Sequence, residues 1–183
     1  MSKKEYFDLY DSNRNLLGTT MERGTQQPPN TFRLVVHVCI FSRDGKMLCQ
    51  RRQPFKHGWS NMWDVSVGGS VVSGENSVQG ARRETLEELG LTLPEQLLPS
   101  VTIHFTGGFD DYYCVTMDVN EQNCVLQQEE VAEVKWLTEA KICQMIDDGS
   151  FIPYNKSMIN LLFFLRAHRT THTRKDTSKK VEL

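Results

Sequence analysis

From Gly68 the chain reads Gly-Gly-Ser-Val-Val-Ser-Gly-Glu-Asn-Ser-Val-Gln-Gly-Ala-Arg-Arg-Glu-Thr-Leu-Glu-Glu-Leu-Gly-Leu, a glycine-rich loop running straight into a segment crowded with glutamates. At ~100° per residue in a helix, taking Glu84 as zero puts Glu87 near -60° and Glu88 near +40°, while Val78, Ala81, Thr85 and Leu89 cluster between about +60° and +140°. One face is acidic and its neighbour apolar. Glutamates at i and i+4 repel by about 0.2 to 0.5 kcal/mol on an exposed helix, a penalty that a divalent cation would turn into attraction. Hard carboxylate oxygens suit magnesium, with manganese as a substitute.

The rest of the chain supplies strands around this unit. Residues 7–11 and 16–23 flank a polar turn and predict an N-terminal β-hairpin. Residues 32–41 and 47–52 predict two strands joined at Arg43-Asp44-Gly45-Lys46, which the pattern makes the central pairing. Further strands are expected over 63–67, 101–105, 112–119 and 131–137, and helices over 76–89, from the Thr138 cap to Asp147, and from Asn155 to about Ala167. With 183 residues this is one α/β domain plus a tail: a hairpin and loop over 1–30 that form part of the domain, its main body over 31–168, and the tail over 169–183. Residues 166–183 hold six Lys or Arg against two acids, within a net charge of -2, and lack aromatics, so the tail is expected to be disordered and basic. Without stacking aromatics, nucleic-acid binding is not expected of it.

Five cysteines with no Cys-x-x-Cys pair argue against a disulfide framework and a zinc ribbon. A zinc set of His37, Cys39, Cys49 and His57 lacks a second spaced pair. The apolar run around Leu161–Leu165 is far shorter than the ~20 residues of a membrane-spanning helix. No leader pattern opens the chain, so a cytoplasmic location is expected.

Gly69, Glu75, Arg83, Glu84, Glu87, Glu88 and Gly90 fit the Nudix box at every fixed position: glycine, five residues, Glu, seven residues, Arg-Glu, two residues, Glu-Glu, one residue, Gly. Its one departure is Thr85 at an aliphatic position, on the core-facing side. The chain therefore resembles Nudix hydrolases over at least Phe32–Leu137. The resemblance implies an α/β/α sandwich around a mixed sheet. It also implies magnesium ligands at Glu84, Glu87 and Glu88 with the Gly68 carbonyl, and structural roles for Gly69, Gly90 and the Glu75–Arg83 ion pair. The implied reaction is hydrolysis of a diphosphate bond, typically of a nucleoside diphosphate derivative, by metal-activated water. Glu88 or Glu130 would be the general base, with Asp110-Asp111 as the next place to look.

Residues Gln50-Arg51-Arg52 and Trp59-Ser60-Asn61-Met62-Trp63-Asp64 also resemble the isopentenyl-diphosphate isomerase branch. That chemistry requires a cysteine before the box glycine and a histidine after it, where this chain has Gly68 and Ser70. Hydrolysis is thus expected over isomerisation, and over a non-catalytic nucleotide-binding module because the glutamates are intact. Arg51, Arg52 and Lys56 are candidates to grip phosphate, though strand alternation lets only one of the two arginines face the site. Trp63, Trp59 or Phe55 are candidates to stack on a base, against a competing role in the core. The expected partner is a small phosphorylated molecule. The sequence leaves both its identity and a homodimer open.

Overall fold

The computed structural model describes residues 4–168, so the expected disordered tail lies outside the described residues. Strands β1 (Tyr6–Tyr10) and β2 (Leu16–Glu22) form the antiparallel hairpin. The remaining strands are β3 (Arg33–Phe41), β4 (Met47–Arg52), β5 (Trp63–Asp64), β6 (Val67–Ser70), β7 (Val101–Phe105), β8 (Gly108–Thr116) and β9 (Val131–Leu137), which make one mixed seven-stranded sheet. Helix α1 (Ser77–Leu89) covers one face, and α2 (Glu139–Asp147) with α3 (Lys156–Leu165) cover the other.

Alternation along β3 explains the three layers. Leu34, Val36, Val38 and Ile40 pack with Ala81 and Leu89 of α1, whereas Cys39 and Phe41 pack with Ile142, Ile159, Leu162 and Phe163 of α2 and α3. A strand covered on both faces must be apolar on both, which is why this stretch reads as an almost unbroken hydrophobic run. Each fully buried aliphatic here contributes about 1.5–3 kcal/mol.

Three expectations are corrected. The 32–41 and 47–52 strands are not the central pairing, for β3 and β4 meet only at Phe41 and Met47 beside their turn. Instead β3 runs parallel to β8 from Arg33 opposite Gly108 to Phe41 opposite Thr116, and β4 pairs antiparallel with β9. The expected 63–67 strand is two strands, because the chain changes partner in the middle: Asp64 lies opposite Gln50 of β4, Val67 opposite Val38 of β3. Ser66 fills the fork, accepting from the Ile40 amide (2.8 Å) and donating to the Leu48 carbonyl. β8 also begins at Gly108 rather than Tyr112, since pairing with β3 recruits Gly108–Asp111 despite their weak strand propensity.

The hairpin is bound into the domain. Phe7 and Leu9 are buried, and Asp8 accepts from Ser73 Oγ (2.6 Å) and the Gly74 amide (2.8 Å) in the glycine loop. Arg14 makes a bidentate ion pair with the fully buried Asp111, with Nη1 2.9 Å from Oδ1. No helix among the described residues is long and apolar enough to cross a membrane, and all five cysteines are free.

Candidate active site

The glycine loop is shaped by what lies beside it. β6 is antiparallel to β3, with Gly68 opposite His37 and Gly69 opposite Val36. A Cβ on Gly69 would sit 2.2 Å from Glu84 Cδ and 2.3 Å from its Oε1, so glycine is required because the glutamate occupies that space. Asn76 then starts α1 with a reciprocal capping box: its side chain accepts from the Gln79 amide, and the Gln79 side chain accepts from the Asn76 amide. Gly90 ends the helix in the left-handed region at φ 69°. Thr85 is buried and bonds back to the Ala81 carbonyl at 2.7 Å, which lets a hydroxyl replace an aliphatic group without an unpaired donor.

Arg83 joins loop to helix. Its Nε donates to Glu75 Oε1 (2.9 Å) and Oε2 (3.1 Å), its Nη2 to the Ser70 carbonyl (3.1 Å), and its Nη1 lies 2.9 Å from Glu84 Oε1 and 3.1 Å from Glu87 Oε2. Burial opposes the charge on Arg83, but Glu75 and Glu84 outweigh it and hold the guanidinium above its ordinary pKa.

Glu88 is differently placed. It is 4% exposed, and Gln50 Nε2 donates to its Oε2 at 2.8 Å. Burial first, then the neighbouring Glu84 carboxylate, push the Glu88 pKa well above the usual carboxylate range, against the Gln50 bond, with Glu130 and Asp64 adding to the rise. Glu84 is raised by burial too, with Arg83 pulling the other way. The donor set fits a hard divalent cation: oxygen ligands only, and among the described residues a buried Glu88 with no cationic side chain in contact. Arg83 holds Glu84 and Glu87, and no three acidic, His or Cys side chains among the described residues converge tightly enough to grip an ion; Glu87, half in solvent, would have to leave Arg83 to join Glu84 and Glu88 on one.

A cavity of about 480 Å³ brings most of the expected site together. Gly68, Glu84, Glu87 and Glu88 line it together with Arg52, Lys56 and Glu130, the last two paired with each other. Arg51 and Trp63 are not brought there. They lie opposite one another across β4 and β5; Trp63 packs in the α2–α3 core with Lys135 over its ring, and Arg51 pairs with Glu133 on β9 at 3.2 Å. Cross-strand register thus turns Arg51 and Trp63 away and Arg52 toward the cavity. Trp59 lines the cavity, while Phe55 is 67% exposed outside it. Asp111 is consumed by Arg14, Ser77 and Thr102, and Asp110 lies 2.7 Å from His37 Nδ1.

Four groups in or beside the cavity were not assigned to it from the sequence: Gln50, His37, Asp64 and Arg33. Gln50 carried a signal, a polar residue at an inward position between Leu48 and Arg52. Tyr112 stacks on His37 at 4.8 Å, and the Tyr154 hydroxyl donates to Asp64 at 2.8 Å; both depend on pairings between distant segments.

The comparisons with known proteins agree with this geometry. The NUDIX domain model matches residues 31–159. A protein described as an uncharacterized Nudix hydrolase of Listeria innocua is 44% identical over 169 residues, covering 92% of this chain and 99% of that protein. An isopentenyl-diphosphate Delta-isomerase of Streptomyces avermitilis is 26% identical over 144 residues, 75% of this chain and 73% of the relative. Among solved structures, DR0079 of Deinococcus radiodurans superposes with a TM-score of 0.69 at 24% identity, over 86% of this chain and 97% of that one, a likeness of fold. A domain match over most of the chain, together with a relative 44% identical along almost its whole length and an intact glutamate helix at the cavity, identifies the chain as a member of the Nudix hydrolase family.

Proposed function

We propose that the protein is a magnesium-dependent hydrolase of a diphosphate bond in a nucleoside diphosphate derivative or similar substrate. The observation that carries this reading is the buried Glu88, without a cationic partner among the described residues, in the same cavity as Glu84, Glu87, Arg52 and Lys56. Such a site sets carboxylates for a cation beside cationic side chains for an anion. Glu84, Glu87, Glu88 and the Gly68 carbonyl would hold the metal, which when bound neutralises diphosphate oxygens and makes water easier to deprotonate. Arg52 and Lys56 then hold phosphoryl oxygens, Arg52 offering a planar fork and Lys56 a point charge. Lys56 reaches them by exchanging Glu130 for substrate.

A proton must leave the attacking water. Glu88, buried in the wall of the cavity, is one group in reach of such a water. Glu130, freed as Lys56 turns to substrate, is the second group in reach, as the cavity lining supports. Arg83 and Glu75 act on geometry, fixing loop to helix. The five free cysteines fit a reducing compartment, and the cytoplasm is the location that goes with this reading.

Isomerisation is the second reading, favoured by isomerase relatives and by the resemblance over 50–52 and 59–64. Gly68 and Ser70 offer neither thiol nor imidazole where that chemistry needs them. The test is product analysis with magnesium over nucleoside di- and triphosphates, dinucleotides, nucleotide sugars and isoprenoid diphosphates, with Glu88→Gln as control. Phosphate or monophosphate release that is lost in the control supports hydrolysis; rearranged isoprenoid without phosphate release contradicts it.

A further inference from the structure

We propose that Arg33, with Ser70 and Arg23, forms a second anion subsite, and that the substrate carries a phosphoryl group one step beyond the bridge held at the glutamates. This rests on the diphosphate reading above. Arg33 is half-buried at the start of β3, and its one polar side-chain partner among the described residues is Ser70, with Nη1 donating to Oγ at 2.8 Å. No carboxylate among the described residues lies within ion-pair distance of it. Arg23 stands beside it, held at the rim by Glu5 at 2.7 Å. The two guanidiniums lie 5.7 and 5.5 Å from the same Phe7 ring, so two like charges are gathered around one buried aromatic. Burial first and then the Arg23 charge work against protonation of Arg33, and the Asp110 carboxylate, beyond ion-pair distance, offsets them only in part. An arginine kept charged in that setting is stabilised by an anion, and guanidinium forks match phosphoryl oxygens.

The position follows from the contacts. Glu88 neighbours Glu130, and Glu130 holds Lys56. Glu84 fills the space against Gly69, and the next residue, Ser70, meets Arg33. Along the cavity the order is therefore Lys56 and Arg52, then the carboxylates, then Ser70 with Arg33 and Arg23. Successive Cα atoms are about 3.8 Å apart, so the step from Gly69 to Ser70 is short enough for an adjacent phosphoryl group in the same chain. β6 pairs only with β3 among the described strands, which leaves its other edge open to the cavity, where side chains of both sheet faces meet. A neighbouring cavity of about 430 Å³ is also lined by Arg23, Arg33 and Ser70, so the subsite lies where two cavities join. Arg23 directly follows β2 and Phe7 comes from β1, outside the segment matched by the family model.

The test is calorimetric titration of the full chain with inorganic tripolyphosphate and inorganic pyrophosphate, with calcium as the divalent ion, while phosphate release with magnesium is followed separately. Tripolyphosphate is expected to bind about tenfold more tightly than pyrophosphate, and Arg33→Gln to reduce that ratio to about twofold or less, as expected for loss of a charge-assisted contact. Arg23→Gln, at a more exposed position, should lower the ratio in the same direction and keeps the test open if Arg33→Gln folds poorly. An absent preference in the wild type, or an unchanged ratio in both variants, overturns the subsite. Turnover with an unchanged ratio would sink the subsite alone. A preference that depends on Arg33, without turnover of any diphosphate, would sink the hydrolase reading and leave the subsite standing.

Discussion

Gly69→Ala is the smallest change that strikes the site's geometry. The backbone at Gly69 lies outside the left-handed region, so a methyl group meets no conformational penalty there; what it meets is Glu84, at 2.2 Å from Cδ, 2.3 Å from Oε1 and 2.7 Å from Cγ. Ordinary carbon contacts fall near 3.5–4.0 Å, so the carboxylate must retreat by about 1.5 Å. It then leaves its 2.9 Å contact with Arg83 Nη1 and its place in the cavity. Overpacking of this kind costs about 1–3 kcal/mol. For a domain of this size that lowers Tm by roughly 2–12 °C. Displacing a metal-holding group by more than 1 Å should also cut kcat about 100-fold. The assay is urea denaturation of the wild type, Gly69→Ala, Glu84→Ala and the double variant. Because the clash is with the glutamate side chain alone, Gly69→Ala should be nearly neutral in the Glu84→Ala background, a coupling of about 1–3 kcal/mol. If the alanine costs as much without Glu84 as with it, the packing argument is wrong.

Glu87→Gln and Glu88→Gln should each lower kcat by about 100-fold or more with the fold intact, read by steady-state kinetics beside circular dichroism. Lys56→Met should raise KM, whereas Arg51→Ala should leave kinetics within about twofold and act only on its surface pair with Glu133. Asp111→Ala should destabilise by about 2–3 kcal/mol in urea, the full cost of a broken buried pair being reduced because a third of Arg14 is open to solvent. Burial alone would raise the Asp111 pKa, but bonds from Arg14, Ser77 and Thr102 override it and lower it below the ordinary value. Its contribution is therefore complete above the unfolded carboxylate pKa of about 3.9 and is lost as pH falls through the folded value; Asp111→Asn should flatten that part of the acid unfolding curve.

The box was legible because every constraint in it is local. Spacing along one helix places Glu84, Glu87 and Glu88, and the loop glycine is needed for a neighbour fifteen residues away. The hairpin and the start of α1 were legible for the same reason. What escaped the reading depends on register between distant strands. Nothing near Arg51 and Arg52 says which one faces the cavity; β9, eighty residues on, decides it by placing Glu133 opposite Arg51. Trp63 sits in the core because β5 pairs with β4 in that same register. The split of the 63–67 segment follows from the fork between β3 and β4, which Ser66 fills. Arg33 looks like one polar residue at the start of an apolar strand until β1 and β2 fold beside it.

The proposed function requires the α1 carboxylates to hold a divalent cation in the presence of a diphosphate, and manganese uptake followed by electron paramagnetic resonance, with and without a methylene-bridged diphosphate, measures this directly. The wild type should take up manganese, more tightly with the analogue present, and Glu88→Gln should lose most of that uptake. Equal uptake by both proteins, or none by either, would contradict it.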